Sequence, residues 1–548
     1  MKRFLAIAIA LSMALSIAAC GGAGKSDAKT ADGGGAGSTS ANAGTTAEAQ
    51  KEEPMEISMM NWNIADSFPE DGKPDKMWDY VRNKFNIVIK PFNVTWEDVG
   101  EKRSAWAAAG TLPEVIGATA MPGSADYYQW ISDGVVRPIP DNLSAYPHVK
   151  KFMEQPEVTV YAVDGKNYLM PRQTYADSSW MCMDRGILSR KDWRENLGLS
   201  IPKTEQEFID MCVAFATQDP DGNGVDDTYG YAVCAHWALP SFVMSYHGNT
   251  DGGWHKLADG KMVIPALEKT SLPLMSFYRR MYAAGAFDPD FATDPYDEGM
   301  RKFSAGKVGI LGRMVSPTEM RFTYNEWNSV QKDKDFVEVV EVLPPPEVPG
   351  NKPMGLPEFG YWSETYINKS VDDVKMAKIL EFYDYFYSEE GMRLLLFGFE
   401  GEDYKMEGDE IIMLTEISDE TGFPKSAADI YPYAAGGMIE MVAWAQDYMQ
   451  YIDPTIPKKL RETLAAERDR RLKEYVPCPV DLRIAAINIP EQQEMSGVSQ
   501  DDGWIYFIMN TDNISDSDLF DQIYADWEAN GYKKAKDAMT KKVAELGY

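Results

Sequence analysis

The chain opens with a segment that reads as an export signal. Lys2 and Arg3 precede an uncharged apolar run from Phe4 to Ala19, which breaks at Ile17-Ala18-Ala19-Cys20-Gly21. A basic start and a short apolar run suit the export machinery, whereas a membrane-spanning helix needs about 20 apolar residues. Residues 1–19 are therefore expected to be cut away as a signal peptide. From Gly21 to about Glu53 the sequence is Gly, Ala, Ser and Thr with scattered charges and almost nothing to bury. Residues 20–53 are expected to form a tether, since a flexible coil of ~33 residues spans about 30 Å end to end. The remainder is long enough for two or more lobes, and 44% hydrophobic content supplies a large core.

The end of the apolar run resembles the lipobox of bacterial lipoproteins, with small residues at 18 and 19 and an aliphatic one at 17. That resemblance implies a diacylglycerated Cys20, cleavage after Ala19 and an acylated new amino terminus. Several acyl chains hold a domain far more firmly than one, because each buried methylene contributes about 0.8 kcal/mol. No later stretch approaches a membrane span, so the protein is expected on the extracytoplasmic face of the bacterial cell membrane, attached through lipid alone. An ordinary secretory peptide that ends beside a cysteine is the plainer alternative. The formal charge of −31 becomes −33 once Lys2 and Arg3 are gone, which excludes nucleic acid as a partner. Such an acid-rich surface reflects solubility rather than a ligand. Cys182, Cys212, Cys234 and Cys478 match no zinc spacing; they can pair in three ways or, as favoured here, stay as buried thiols.

Along the chain, Met55 to Trp62 reads as a strand, Asp75 to Phe85 as a helix and Ile87 to Ile89 as a second extended segment. That order points to an α/β domain. Thr204 and Glu207 form a capping box before Phe208, Met211, Cys212 and Phe215 at helical spacing. Val371 to Tyr387 also reads as a helix, with Met376, Ile379, Leu380, Tyr383 and Phe386 on one face. No internal repeat is visible.

Six segments, in order, resemble the extracellular solute-binding lipoproteins of bacterial ABC sugar importers, in the oligosaccharide group that includes the alginate-binding proteins. They are Ala107–Val115 (AAAGTLPEV), Ile131–Ile139 (ISDGVVRPI), Asp164–Arg172 (DGKNYLMPR), Ser189–Thr204 (SRKDWRENLGLSIPKT), Phe303–Ile310 (FSAGKVGI) and Phe397–Tyr404 (FGFEGEDY). The resemblance implies a two-lobed α/β periplasmic-binding-protein-like fold of type II, with a hinge and an interlobe cleft. The first lobe is expected from 54–169 plus 358–395, and the second from 170–357 plus 396–548.

Asp219 to Gly230 (DPDGNGVDDTYG) carries its own chemistry. Asp219, Asp221, Asn223, the Val225 carbonyl and Asp227 stand at loop positions 1, 3, 5, 7 and 9, the pattern that wraps a hard cation of Ca²⁺ size. The twelfth position is Gly230, where an EF-hand has a bidentate Glu, and the tenth is Thr228, where alginate-binding relatives often have a carboxylate. A bare Asp/Gly/Asn-rich turn is the alternative to a structural Ca²⁺ site.

Enzyme signatures are missing: there is no H-E-x-x-H, G-x-S-x-G, P-loop or G-x-G-x-x-G after a strand. His236, His247 and His255 crowd beside Cys234, but their spacing fits no helix face. Aromatic residues carry the better argument, because sugar rings present apolar C–H faces rimmed by hydroxyls. The chain has 14 Trp and 29 Tyr. Candidate ligand contacts are Trp62 and Asn63 at the end of the first strand, where open α/β sheets bind ligands. Tyr127, Tyr128 and Trp130 are expected in the loop that precedes Gly134, Arg172 and Trp180 flank the first crossover, and Trp237 and Trp254 lie in the histidine-rich stretch. Arg313 ends the strand-like run Val308 to Leu311, and Tyr361, Trp362 and Glu364 stand at the second crossover. The expected function is capture of a carbohydrate and its delivery, as a monomer and without catalysis, to an ABC transporter permease. A secreted glycoside hydrolase or lyase is the runner-up, and a peptide- or metal-binding receptor of the same fold is the third reading.

Overall fold

The computed structural model describes residues 53–548 apart from 69–72, 120, 176–181, 236–238, 240–245, 249–251, 357–359, 419–421 and 444–451. The signal segment, Cys20 and nearly all of the tether lie outside these residues, as do Trp180 and Trp237.

The first sheet starts where the tether ends. Strand β1 (Met55–Trp62) pairs in parallel with β2 (Ile87–Val94) and β3 (Val115–Thr119). Helix α1 (Lys76–Phe85) returns the chain between β1 and β2, which is how neighbouring strands become parallel. Asp75 caps that helix by accepting the Trp78 amide at 3.0 Å, and Asn86 in left-handed conformation (φ 52°) ends it. Strands β4 (Val136–Arg137) and β5 (Leu169–Gln173) both pair antiparallel to a strand from much later in the chain, β10 (Tyr361–Asn368). The sheet runs β2-β1-β3-β10-β4, with β5 also paired to β10.

The second sheet has four strands: β6 (Gly186–Arg190), β7 (Tyr229–Val233), β8 (Val308–Arg313) and β9 (Val340–Leu343), in the order β9-β6-β8-β7. β7 and β8 are parallel, and β6 opposes both of its neighbours. Every residue of β6 and β8 is buried, as befits strands with both faces covered by helices.

Seven further helices matter below: α2 (Ala125–Ser132), α3 (Glu205–Thr217), α4 (Glu298–Ser304), α5 (Pro317–Val330), α6 (Asp373–Phe386), α7 (Ala434–Val442) and α8 (Lys458–Glu474). The expected capping box is present on α3, and the five expected residues of α6 are all buried.

Each sheet has its own hydrophobic core. The first gathers Met60, Val115, Ile116 and Tyr366 with Phe382 and Phe386 of α6, and it also takes Phe397, Tyr404, Ile411, Tyr431 and Met438. Most of segment 396–443, expected in the second lobe, therefore packs in the first, while Phe423 packs against the second sheet's core with its ring 6.0 Å from that of Tyr324. The apolar residues that join the first core fill the space between α6 and β1, a destination that sequence periodicity does not encode. β5 likewise carries the first sheet to Gln173, past the expected boundary at 169. The second sheet packs Trp193, Phe208, Tyr231, Phe277 and Trp504 on one side, and Leu188, Phe303, Trp327 and Leu464 on the other. Where the chain passes between the sheets, the amides of Thr174 and Tyr175 donate to the Gly360 carbonyl at 3.2 and 3.1 Å, so two crossing segments are bonded together. Cys212 and Cys234 are buried thiols, and desolvation pushes the Cys234 thiol up to about 12.

Candidate binding site

At the edge of the first sheet where β1, β2 and β5 end and β10 begins, three indoles come together. Trp62, the last residue of β1, stacks on Trp96 at 4.4 Å between ring centroids, with 14° between the planes. Trp362 lies 5.5 Å from Trp62 and 5.7 Å from Trp96. Trp62 is buried beneath, while Trp96 is 50% and Trp362 44% exposed. The register slips between Tyr361 and Ser363, so Trp362 occupies a β-bulge, the device that re-aims a side chain at a strand end. From the end of β5 the Arg172 guanidinium reaches over the Trp62 ring at 4.8 Å and the Trp362 ring at 5.8 Å. Such cation–π contacts are worth about 0.5–2 kcal/mol and fix both partners. Beside the platform, the Trp62 Nε1 and both amide atoms of Asn61 are buried without a hydrogen-bond partner among the described residues. A buried polar atom in that state costs about 1–3 kcal/mol.

The structure thus unites Trp62, Arg172 and Trp362 and adds Trp96, which the sequence reading did not name. Its signal was there: Trp96 falls two residues past the last residue of β2, at the same edge as Trp62.

The other expected contacts divide. Asn63 is exposed next to the platform in left-handed conformation (φ 49°). Tyr127 is core, its hydroxyl donating to the Tyr161 carbonyl at 2.6 Å. Trp130, on α2, is half-buried with its edge toward Tyr366 at 6.1 Å. Trp254 stacks 6.3 Å from Tyr532 in the second lobe's helical layer. The Tyr361 hydroxyl donates to the Glu157 carbonyl at 3.0 Å. Glu364 is fully buried and accepts from the Met121 amide at 2.6 Å and from the Tyr366 hydroxyl at 3.1 Å; burial pushes its carboxyl up to about 7. For Tyr127 and Glu364 the role as ligand contacts is corrected to core, because no face of either is left for a ligand.

Arg313 ends β8 at the matching edge of the second sheet, where it is buried between two carboxylates. Its Nη1 pairs with Asp297 and its Nη2 with Glu319 at 2.8 Å. Burial pushes the Glu319 carboxyl up to about 7, with Arg313 opposing the shift.

The loop Asp219–Gly230 folds around Asn223. Asp219 accepts from the amides of Asn223 and Gly224, both at 3.0 Å, and the Asn223 side-chain amide donates to Asp221 at 2.9 Å and Asp227 at 3.3 Å. Asp227 also pairs with Lys307. The donor set converges, yet Asn223 and Lys307 hold it, and among the described residues no group of three His, Cys, Asp or Glu is arranged to hold a metal ion. Val225 exposes its side chain. Gly230 has a steric cause: a Cβ there would sit 2.2 Å from the Cys212 carbonyl oxygen, so the Glu of an EF-hand has no room.

No family model matches the chain. Among curated proteins it is 26% identical over 452 residues to the polygalacturonan/rhamnogalacturonan-binding protein YtcQ of Bacillus subtilis (strain 168), covering 81% of this chain and 83% of that one. It is 25% identical over 329 residues to the lipoprotein LipO of the same organism, covering 58% of this chain and 62% of LipO. Among solved structures, alginate-binding protein AlgQ2 without calcium ion superposes with a TM-score of 0.64 at 17% identity, over 89% of this chain and 98% of AlgQ2. The substrate-binding protein FusA of an S. pneumoniae ABC transporter, in complex with kestose, gives 0.63 at 18% identity, over 90% and 99%. No helix among the described residues is long and apolar enough to cross a membrane. The chain is thus similar in sequence to a polysaccharide-binding protein and a lipoprotein, and it shares the two-lobed fold of the alginate-binding protein AlgQ2 and the substrate-binding protein FusA.

Proposed function

We propose that this protein captures a carbohydrate outside the cytoplasm, as an oligosaccharide, and delivers it to the permease of an ABC transporter without chemical change. The single observation that carries the reading is the platform of Trp62, Trp96 and Trp362 under Arg172. Stacked indoles offer the flat apolar face that a sugar ring covers, and the guanidinium and the unpartnered Trp62 Nε1 supply donors for its rim. The names of the relatives, which include binders of polygalacturonan, alginate and kestose, support the same class of ligand. Two lobes linked by bonded crossing segments suit hinge closure on such a ligand. A thermal-shift screen against neutral and acidic oligosaccharides tests this, since a ligand that binds only the folded state raises stability by RT ln(1 + [L]/Kd). No shift with any oligosaccharide would refute it.

Two parts of the reading concern the chain away from the platform. Cys20 is the lipid anchor, supported by its lipobox-like setting and by a lipoprotein among the relatives. Cys20→Ser is expected to release the protein from membranes in fractionation, and a variant that stays bound would refute the anchor. The loop around Asn223 takes Ca²⁺, which displaces Lys307 from Asp227 and draws in Asp219, Asp221, Asn223 and the Val225 carbonyl.

A further inference from the structure

Besides the crossing segments, the two lobes touch where the end of the chain meets α2. Tyr128, expected in a loop, lies on α2 and packs against the first core, and its hydroxyl donates to the Ala486 carbonyl.

Ala486 follows a short helix, α9 (Leu482–Ala485), which Asp481 caps by accepting the Arg483 amide at 3.0 Å. Ile484, Ile487 and Ile489 around it pack with Met262, Ala535, Met539 and Val543. That cluster belongs to the second lobe. The Met262 amide donates to the Thr540 hydroxyl and the Ile264 amide to the Tyr532 hydroxyl, both at 2.9 Å, and Tyr532 is buried in a core of the second sheet. Ala485 and Ala486 are therefore the point at which second-lobe structure leans on the first lobe.

The approach is close. Gly123, just before α2, is in left-handed conformation (φ 76°), and a Cβ there would stand 2.7 Å from the Ala485 carbonyl oxygen and 3.7 Å from the Ala486 Cα. Only glycine lets the two backbones touch at that distance.

The first-lobe side of the contact is anchored to the strand that carries Trp362. The Met121 amide, at the start of the loop that holds Gly123, donates to Glu364 of β10. Tyr161 would lie 3.1 Å from the same Cβ, and its carbonyl accepts from Tyr127. One turn earlier Glu157 accepts from the Gly360 amide at 3.0 Å, where β10 leaves the crossing. The loop at Gly123 thus moves with the first lobe, as α9 moves with the second. Rotation about the crossing segments has to part or slide a contact whose two sides follow different lobes.

We propose that this contact is an interlobe brace: Ala485 and Ala486, seated on Gly123 and Tyr128, hold the lobes at the angle of this structure, and a change of angle breaks the Tyr128–Ala486 bond. The brace stands apart from the carbohydrate reading, and its test needs no ligand.

The test reads the lobe angle as a distance. Val374→Cys in the first lobe and Leu257→Cys in the second, 68% and 44% exposed, carry nitroxide labels in the full chain with Cys20→Ser and Cys182→Ser. Cys212, Cys234 and Cys478 are buried thiols and stay as they are. Pulsed electron resonance then gives the distribution of label distances. Tyr128→Phe keeps the ring and removes the bond, and it is expected to shift population out of the wild-type distance by about fivefold, the effect of one net hydrogen bond on a two-state ratio. Tyr127→Phe is the control, because its hydroxyl bonds within the first lobe, and it is expected to keep the wild-type distribution. An unchanged distribution in Tyr128→Phe overturns the brace. Equal shifts in the two variants overturn it as well, since the effect then arises inside the first lobe.

Discussion

The edge of the first sheet gathers three indoles under one guanidinium, whereas the matching edge of the second gathers the guanidiniums of Arg185 and Arg313 with the carboxyls of Asp184, Asp297 and Glu319. The indoles stack on one another, with Trp62 buried and Trp96 and Trp362 half exposed, so the rings of the outer two have a large face open to solvent. In the second sheet the opposite holds, because Arg313 and Glu319 are paired out of water and Asp297, partly exposed, pairs with the same guanidinium. Aromatic surface is cheap to display and strong against a sugar face, while buried charge is costly and structural. The two halves should therefore fail differently when cut.

The largest effect is expected in the charged half. Arg313→Met leaves the Glu319 carboxyl buried, and the partly exposed Asp297 carboxyl beside it, without their counter-ion and should cost about 3–5 kcal/mol in urea unfolding. A loss below about 1 kcal/mol would mean that the pairing is not what holds this edge.

In the aromatic half the cost should fall on binding. Trp62→Ala or Trp362→Ala is expected to weaken carbohydrate affinity by more than about tenfold, about 2 kcal/mol, since central aromatic anchors of a site carry that much. Trp96→Ala should do the same, and Trp362→Ala should keep a near-native melting temperature because its ring is half outside the fold. A destabilised Trp362→Ala with unchanged affinity would invert the comparison.

Each edge also holds one buried carboxyl with a raised pKa, Glu364 in the first and Glu319 in the second, both pushed from 4.5 to about 7. Below pH 4.5 such a group is protonated in the folded and unfolded chain alike. Above it the unfolded chain ionises first, so stability falls as pH rises toward 7, by on the order of 3 kcal/mol for a fully buried group. Glu364→Gln should flatten the decline between pH 5 and pH 8, measured against wild type by urea unfolding at each pH. A slope equal to that of wild type would place the raised carboxyl elsewhere.

The smallest effect lies outside both edges. Chelation should lower the melting temperature of wild type by a few degrees and leave Asp221→Ala nearly insensitive, on the order of 1 kcal/mol for a surface loop. Equal responses in the two proteins would remove the ion from the loop.

How far the sequence carried these assignments follows from what each signal encodes. Periodicity and caps reported the elements well: Asp75, Thr204 and Glu207 stand at helix starts, and β1 ends at Trp62 as expected. They do not report which sheet a helix joins, so most of Phe397 to Met438, expected in the second lobe, closes the first core, and only Phe423 of the described residues there packs against the second. Trp62, Arg172 and Trp362, each beside a strand end or a crossover in sequence, come together in the structure. Trp96 shares that position but was passed over because the second extended segment was read only to Ile89, five residues short of its end. Tyr127 and Glu364 were misread for the converse reason. Each lies near a loop in sequence, but α2 and the bulged start of β10 turn them inward to partners, Tyr161 and Met121, that no local pattern announces.

The central claim, capture of a carbohydrate on the indole platform without cleavage, is best met by one paired measurement. An oligosaccharide identified by thermal shift is titrated calorimetrically into wild type and Trp362→Ala, and the wild-type mixture is then held for hours and weighed by mass spectrometry. The expected result is saturable binding in wild type, affinity reduced by more than about tenfold in the variant, and a sugar of unchanged mass. Equal affinity in the two proteins, or a shortened sugar, would contradict it.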